Sequence, residues 1–522
     1  MLYRLSSVIV TGTLVLLGSV GGASCVPRAR SFIYVVPDGY GPVSQTMARD
    51  YESITTGRST PGRPNSAQIG VDEMLIGTVR TQAADNLVTD SAASATAFAC
   101  GIKTYNGAIA VDEDGQPVAS VLEAAHLSGF KTGLIATSRI THATPACYSA
   151  HVLSRDSENE IAAQQIGRTH PFGAYLDLLL GGGRRQFLPR KDGGQRTDDV
   201  DLVAWAKERG YGYAADRAAF DEAAAAGAEG RLPLPFLGLF ASSHMAYELD
   251  RDETREPSLL DMTKAALASL EAASHNRSSS SSSPSQQGYF IMIEASRIDH
   301  AGHSNDGPGH IHDILMYNEV MAYLRDYVAA HPDTQLLSAA DHECGGLTLP
   351  GRWDPRPLAA ARRTSEHLVR LLGQYSGGDQ RAYFRTALLP QYGLGDASDA
   401  AVDGMLETYR RRGATALVVA MGGALSDRAG IRWSTTGHTS VDVNLYGAAA
   451  GRDRQARMAA LIGGNRDNTE LPRYVEAALG VSIANATARL RSAQAGSSWV
   501  QRREELAAIK RAANLAAWNH VH

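Results

Sequence analysis

Four short apolar stretches constrain this chain most. Ser31-Phe-Ile-Tyr-Val-Val36, Lys131-Thr-Gly-Leu-Ile-Ala-Thr137, Gly288-Tyr-Phe-Ile-Met-Ile-Glu294 and Thr334-Gln-Leu-Leu-Ser-Ala-Ala340 are too short for buried helices and lack strict polar–apolar alternation. Such runs read as strands covered on both faces, as parallel sheets require. Helix-compatible segments separate them at Val118 to Leu127, Glu158 to Ile166, Ser258 to Ala273 and Ile311 to Ala330. The rhythm predicts an α/β fold with a mixed, mostly parallel central sheet and helices on both faces. Further strands are expected at Pro235 to Phe240 and Val441 to Tyr446. Further helices are expected at Phe172 to Leu180, Val200 to Arg209, Leu471 to Leu479 and Trp499 to Trp518, with Gly181-Gly182-Gly183 as a turn.

The strand ends carry acids. Asp38 follows the first strand, Glu294 closes the third, and Asp341-His342 follow the fourth. Open α/β sheets place ligands at the carboxyl ends of their strands. One such acid is easily a turn residue; three make a poor coincidence. Beyond Glu294, Asp299 and His303 stand four residues apart, on one face of a helical turn. A carboxylate and an imidazole sharing a face suit a divalent metal such as zinc. His438, in a turn after Gly437, is a candidate last ligand. After the second strand come His142, Thr144, His151 and Arg155. The Thr144 hydroxyl suits a hard cation such as Mg²⁺, and the Arg155 guanidinium can fork two hydrogen bonds onto a phosphate.

A nucleophile completes the set. The stretch Thr89 to Gly107 opens with Asp90-Ser91 and continues in small, helix-compatible residues. Ser91 then falls at a helix N-terminus, where free N–H groups and the helix dipole favour negative charge. That position suits an alkoxide or a phosphoryl group. Phosphate monoester hydrolysis is among the slowest uncatalysed reactions. Two metals about 4 Å apart can activate a serine hydroxyl and stabilise the leaving oxygen of an in-line displacement, while an arginine steadies the remaining oxygens.

These residues carry a family resemblance. The block Val88-Thr-Asp-Ser-Ala-Ala-Ser-Ala-Thr-Ala97, with the blocks at Thr144 to Arg155, Glu294 to His303, Asp341-His342 and Gly437-His438-Thr439, resembles the alkaline phosphatases, especially their fungal vacuolar members. The likeness spans roughly Ser31 to Gly447, within a catalytic region of 31–482. It implies phosphate monoester hydrolysis at alkaline pH through a phosphoserine, at a site of two Zn²⁺ and one Mg²⁺. Ser91 would be the nucleophile and Arg155 the phosphate clamp. Asp299, His303 and His438 would hold the first zinc, and Asp341 and His342 the second. Ser91 would complete that second site and Asp38 would bridge from it towards Mg²⁺, whose site Thr144 and Glu294 complete. His142 and His300 stand where bacterial members carry Asp and Lys, and are expected near the magnesium site and phosphate. The resemblance also implies a homodimer, and reads residues 347–433 as a crown-like insertion. The rivals are a phosphodiesterase or sulfatase on the related fold, and a metal-stabilised binding protein without turnover. A sulfatase needs x-Pro-x-Arg after its nucleophile, whereas Ala92-Ala93-Ser94-Ala95 follow Ser91. A non-catalytic relative would lack a ligand or the nucleophile, and none is missing.

Composition bounds the rest. The 522 residues carry a formal net charge of −5, which implies no basic face and makes nucleic acid an unsuited partner. Cys25, Cys100, Cys147 and Cys344 are scattered without a CxxC pair, neither a disulfide framework nor a cysteine zinc site; one or two bridges at most are open to them. Arg4, an apolar run from Leu5 to Val20 and small residues to Ala23-Ser24 read as a signal peptide over 1–23, with an uncleaved membrane anchor as the competing reading. Both place the folded part in the secretory pathway, vacuolar or secreted, where the sequons at Asn276 and Asn485 fit a glycoprotein. Residues 276–287 form a serine-rich flexible insert, and 483–522 a peripheral tail.

Overall fold

Strand side chains alternate between the faces of a sheet, so a strand buried on both faces needs a layer on each side. The structure, a computed structural model, describes residues 26–64, 67–275, 287–494, 506–510 and 512. The strands are β1 Ser31–Pro37, β2 Leu75–Arg80, β3 Lys131–Arg139, β4 Leu178–Gly182, β5 Gly212–Ala214, β6 Phe236–Leu239 and β7 Tyr289–Ala295. They continue with β8 Thr334–Ala339, β9 Glu343–Cys344, β10 Leu347–Thr348, β11 Arg432–Trp433, β12 His438–Thr439, β13 Val443–Ala449 and β14 Gly464–Asp467. Ten form one sheet in the order β14-β2-β13-β8-β1-β7-β3-β4-β6-β5. β13 runs antiparallel to both of its neighbours, while the other pairings in this sheet are parallel. The mostly parallel α/β sheet is therefore as expected.

At the sheet centre, Phe32 to Val36 are inaccessible to solvent. Phe32 meets Tyr474 and Tyr34 meets Phe98. Those partners lie in the helices Glu470–Leu479 and α2, Ser91–Cys100. From the opposite face, Tyr289 reaches Tyr327 of the helix Gly307–Ala330. Each buried Val, Ile or Phe contributes about 1.5–3 kcal/mol relative to exposure, so alternating anchors fix β1 and β7 between two helical layers.

Residues 347–433 stand apart from this rhythm. β10 pairs with β11, Leu347 opposite Trp433, and so joins the ends of the segment. Between them the helices Ser365–Gln374, Asp399–Arg412 and Ala414–Ala429 bury their own apolar cluster, including Leu368, Phe384, Leu417 and Leu425. Met47 and Tyr51 of helix α1, Pro42–Thr55, join that cluster from the main body.

Two sequence expectations change. Phe172 to Leu180 is not helical: Leu178–Gly182 is β4, held between β3 and β6 with all five residues buried. Leucine's helix propensity yields there to burial between two strands. Gly181 and Gly182 belong to that strand and only Gly183, at φ 92°, turns. Cys100, Cys147 and Cys344 are free thiols. Helix Ile483–Gln494, at the start of the expected tail, buries Ile483, Ala486 and Leu490. The leader at 1–23, the Ser278 to Ser283 run and most of the helix expected at Trp499 to Trp518 lie outside the described residues. Among the described residues no helix is long and apolar enough to cross a membrane.

Candidate active site

The carboxyl ends of β1, β7 and β8 converge, and their acids converge with them. Asp38 directly follows β1, Glu294 lies near the end of β7, and Asp341 stands two residues past β8. Gly39 makes the approach of Asp38 feasible. It holds φ 73°, and a Cβ there would lie 2.6 Å from the Cα of Asp299. Its N–H donates to Asp341 Oδ1 at 3.3 Å.

Ser91 opens α2 at the same end of the sheet. Asp90 is the N-cap and accepts from the Ala93 N–H at 2.9 Å. The other Asp90 oxygen accepts from the Gly107 N–H and from Arg155 Nη1, both at 3.0 Å. Asn106 Oδ1 in turn accepts from the Asp90 N–H at 2.9 Å. One carboxylate therefore fixes both the helix that carries Ser91 and the guanidinium beside it. Arg155 Nη2 lies 3.0 Å from His142 Nε2. Burial works against the Arg155 charge, but Asp90 raises its pKa above the usual arginine value. Ser91 Oγ lies 3.1 Å from His342 Nε2.

Three groups of ligand atoms meet around this serine. Asp299, His303, Cys344 and His438 form one; Asp38, Asp341 and His342 a second; Asp38, His142 and Glu294 a third. The ligand atoms of each group lie within 4.8 Å of one another. His303 Nδ1 stands 2.5 Å from the Thr436 carbonyl, and His438 Nδ1 2.9 Å from the Thr89 carbonyl. A carbonyl only accepts, so both rings donate from Nδ1 and bring their Nε2 atoms 3.2 Å apart beside the Asp299 carboxylate. Metal-bound histidines show this arrangement, the outer nitrogen tied to backbone and the inner one on the ion.

The carboxylates repeat the pattern. Both oxygens of Asp38, Glu294 Oε1, Asp299 Oδ1, Asp341 Oδ2 and Thr144 Oγ1 are buried and make no hydrogen bond. Four buried acids with so many bare oxygens would be severely destabilising without countercharge. Burial first, then Asp341, Asp299 and Glu294, raise the Asp38 carboxyl far above the ordinary range. Burial and then Asp341 push Glu294 to about 7. Burial and then Asp299 push Asp341 to about 6. Burial also opposes the charge on Asp299, but His303 and His438 hold that acid well below the usual value. Burial and then His438 lower His342 well below an ordinary imidazole. The donor set fits cations: oxygens from Asp38, Glu294 and Thr144 for a hard ion, and imidazoles with Asp299 or Asp341 for zinc.

The structure thus brings together Asp38, Ser91, His142, Thr144, Arg155, Glu294, Asp299, His303, Asp341, His342 and His438. His300 lies at the rim, its ring 5.6 Å from that of His142. His244, which sequence reasoning passed over, joins them at 5.4 Å from His142 and 4.3 Å from His300. The three imidazoles line a cavity of about 850 Å³, together with Tyr247 and Arg297. Helices Ser365–Gln374 and Ala414–Ala429 form its far wall through Val369 and Val418. His151 is elsewhere, buried on Glu123 at 3.0 Å. Asp90 and Asn106 were also missed as site residues. The Asp-Ser pair at a helix start was the signal for Asp90; Asn106 and His244 sit in loops that no spacing links to the site.

Known proteins share these features. A profile of the alkaline phosphatases matches residues 29–481. The repressible alkaline phosphatase of Saccharomyces cerevisiae is 37% identical over 489 residues, covering 89% of this chain and 84% of that protein. An alkaline phosphatase of Schizosaccharomyces pombe is 34% identical over 478 residues, with 89% and 84% covered. Among solved structures, the alkaline phosphatase of Thermus thermophilus superposes with a TM-score of 0.73 at 28% identity, over 96% of this chain and 100% of that one.

Proposed function

The chain belongs to the alkaline phosphatase family and is a phosphatase of phosphate monoesters, and on that premise we propose that it works through a phosphoserine at Ser91, at a site of two zinc ions and one magnesium ion. The observation that carries the proposal is the placement of Ser91. It stands at a helix N-terminus, beside an arginine held by Asp90, amid three groups of ligand atoms.

Asp299, His303 and His438 would hold one zinc, Asp341 and His342 with Asp38 and Ser91 the other, and Asp38, Thr144 and Glu294 the magnesium. Bound there, the ions supply Lewis acidity that lowers hydroxyl pKa values and stabilises charge on the leaving oxygen. Ser91 Oγ, deprotonated, attacks phosphorus. The Oγ–P bond forms as the bond to the leaving alcohol's oxygen breaks, and that alcohol departs with a proton from solvent. Arg155 holds two phosphoryl oxygens throughout, its guanidinium kept in plane by Asp90. Water then attacks the phosphorus of the phosphoserine, the Oγ–P bond breaks, orthophosphate leaves with the water's oxygen, and Ser91 Oγ is free to take back a proton. His142 and His300 would meet phosphate oxygens, as the resemblance implies. Because a deprotonated serine and a deprotonated water are both required, activity rises towards alkaline pH.

We also propose placement in the secretory pathway, vacuolar or secreted, or anchored through an uncleaved leader, and assembly as a homodimer. Arg4 with the apolar run to Val20, and the sequons at Asn276 and Asn485, support the first. The test of the reaction is hydrolysis of a chromogenic phosphate monoester by the full chain from mildly acidic to strongly alkaline pH, before and after chelation. Alkaline activity lost on chelation and recovered only with zinc and magnesium together supports the proposal. Turnover indifferent to chelation overturns it.

A further inference from the structure

The sulfur of Cys344 stands within the first ligand group, and the reaction above gives it no task. Cys344 and His438 face each other in the antiparallel pair of β9 and β12. Register partners project from the same side of a ladder, so the thiol and the imidazole leave together. Facing them is the helix Arg297–His303, which presents Asp299 and His303 from one turn. Gly302 lies between those two ligands. A Cβ at Gly302 would lie 3.0 Å from Cys344 Sγ, so the missing side chain leaves the room that the sulfur fills. Cys344 is inaccessible to solvent. Asp299 Oδ1, also buried and in the same group, makes no hydrogen bond. Four ligand atoms, one each from Asp299, His303, Cys344 and His438, fall within 4.8 Å of one another.

We propose that Cys344 is a fourth protein ligand of this metal centre, bound as the thiolate, so that the centre is an Asp-His-His-Cys site. The proposal rests on the reading that a metal binds there. On binding, the thiol proton passes to solvent. Sulfur among the donors separates this centre chemically from the one around Asp38, Thr144 and Glu294. Soft thiolate favours zinc over magnesium or manganese, while oxygen donors favour the hard ions. A chain that must sort two kinds of cation among three adjoining groups gains selectivity from that difference. With Cys344 among them, four protein residues would hold the ion, and the thiolate would favour its selective retention.

Cobalt(II), loaded into the chelated full-length protein, tests this directly. A sulfur-to-cobalt charge-transfer band should appear in the near ultraviolet, disappear in Cys344→Ser and persist in Cys100→Ser and Cys147→Ser. X-ray absorption of the zinc-loaded wild type should show a sulfur scatterer at about 2.3 Å. Because the wild type alone shows whether sulfur is bound, a poorly folding Cys344→Ser protein does not remove the test. A protein that binds its metals and hydrolyses a monoester, with nitrogen and oxygen scatterers only, overturns the role of Cys344 and leaves the phosphatase reading intact. A band lost with another cysteine overturns it as well. A protein that takes up no metal overturns both.

Discussion

Ser91 and Arg155 are organised by one carboxylate. Asp90 caps α2, accepts from the Gly107 N–H and holds Arg155, so one side chain fixes both the start of the helix that carries Ser91 and the guanidinium. Replacing Ser91 with Ala should keep metal binding and abolish the phosphoenzyme, with turnover reduced by about 10³-fold or more; metal content by mass spectrometry and steady-state rates check both. Arg155→Ala should lower kcat/KM by about 10²–10³-fold, the scale of losing a transition-state charge partner, and should weaken inhibition by inorganic phosphate more than it weakens zinc binding. Asp90→Asn should reproduce part of the Arg155 effect, because the guanidinium loses its anchor. At this scale the sequence was informative wherever a functional residue sat at a strand end or a helix start. Asp38, Glu294, Asp341 and Ser91 could be picked out because the chain's own periodicity marks those ends. His244 and Asn106 could not. They reach the site from loops, and nothing in their local spacing states where a loop goes.

Buried polar groups hold elements together away from the site. Glu123 on helix α3, Val121–Leu127, accepts from His151, whose Nδ1 donates to the Ala110 carbonyl at 2.9 Å. Burial works against both charges, yet His151 lowers the Glu123 carboxyl and Glu123 raises the His151 imidazole. The depressed acid contributes stability above its unfolded value of about 4.3, lost as pH falls through its folded value. The raised imidazole contributes stability below about 6.5, lost as pH rises through its folded value. The pair therefore stabilises most between those limits. Glu123→Gln should flatten that part of the pH–stability profile in chemical denaturation and lower the midpoint; an unchanged profile would show that the pair carries no linked proton. β4 shows the opposite limit of sequence reading. Leu178, Leu179 and Leu180 suit a helix as well as a strand, and only their place between β3 and β6 decides. β2, β5 and β14 escaped notice because strands of partly exposed or polar residues lack the apolar run that revealed the sheet centre.

The whole molecule carries its acids where its strands end, an arrangement that calls for countercharge. Stripping the metals should lower the thermal midpoint, and restoring zinc should raise it with concentration, since a ligand that binds only the folded state stabilises by mass action. A midpoint insensitive to chelation would show that the converging acids need no ion. The segment 347–433 has its own apolar core and walls the cavity beside the site. Its helices were not read from the sequence, because their packing partners lie largely within the segment. The central claim is that phosphate passes through Ser91. Metal-loaded protein, mixed with a phosphate monoester at mildly acidic pH, quenched in acid and digested, should yield one phosphopeptide carrying the modification on Ser91. Turnover accompanied by phosphate on another residue, or by direct transfer to water with inversion at phosphorus, would contradict it.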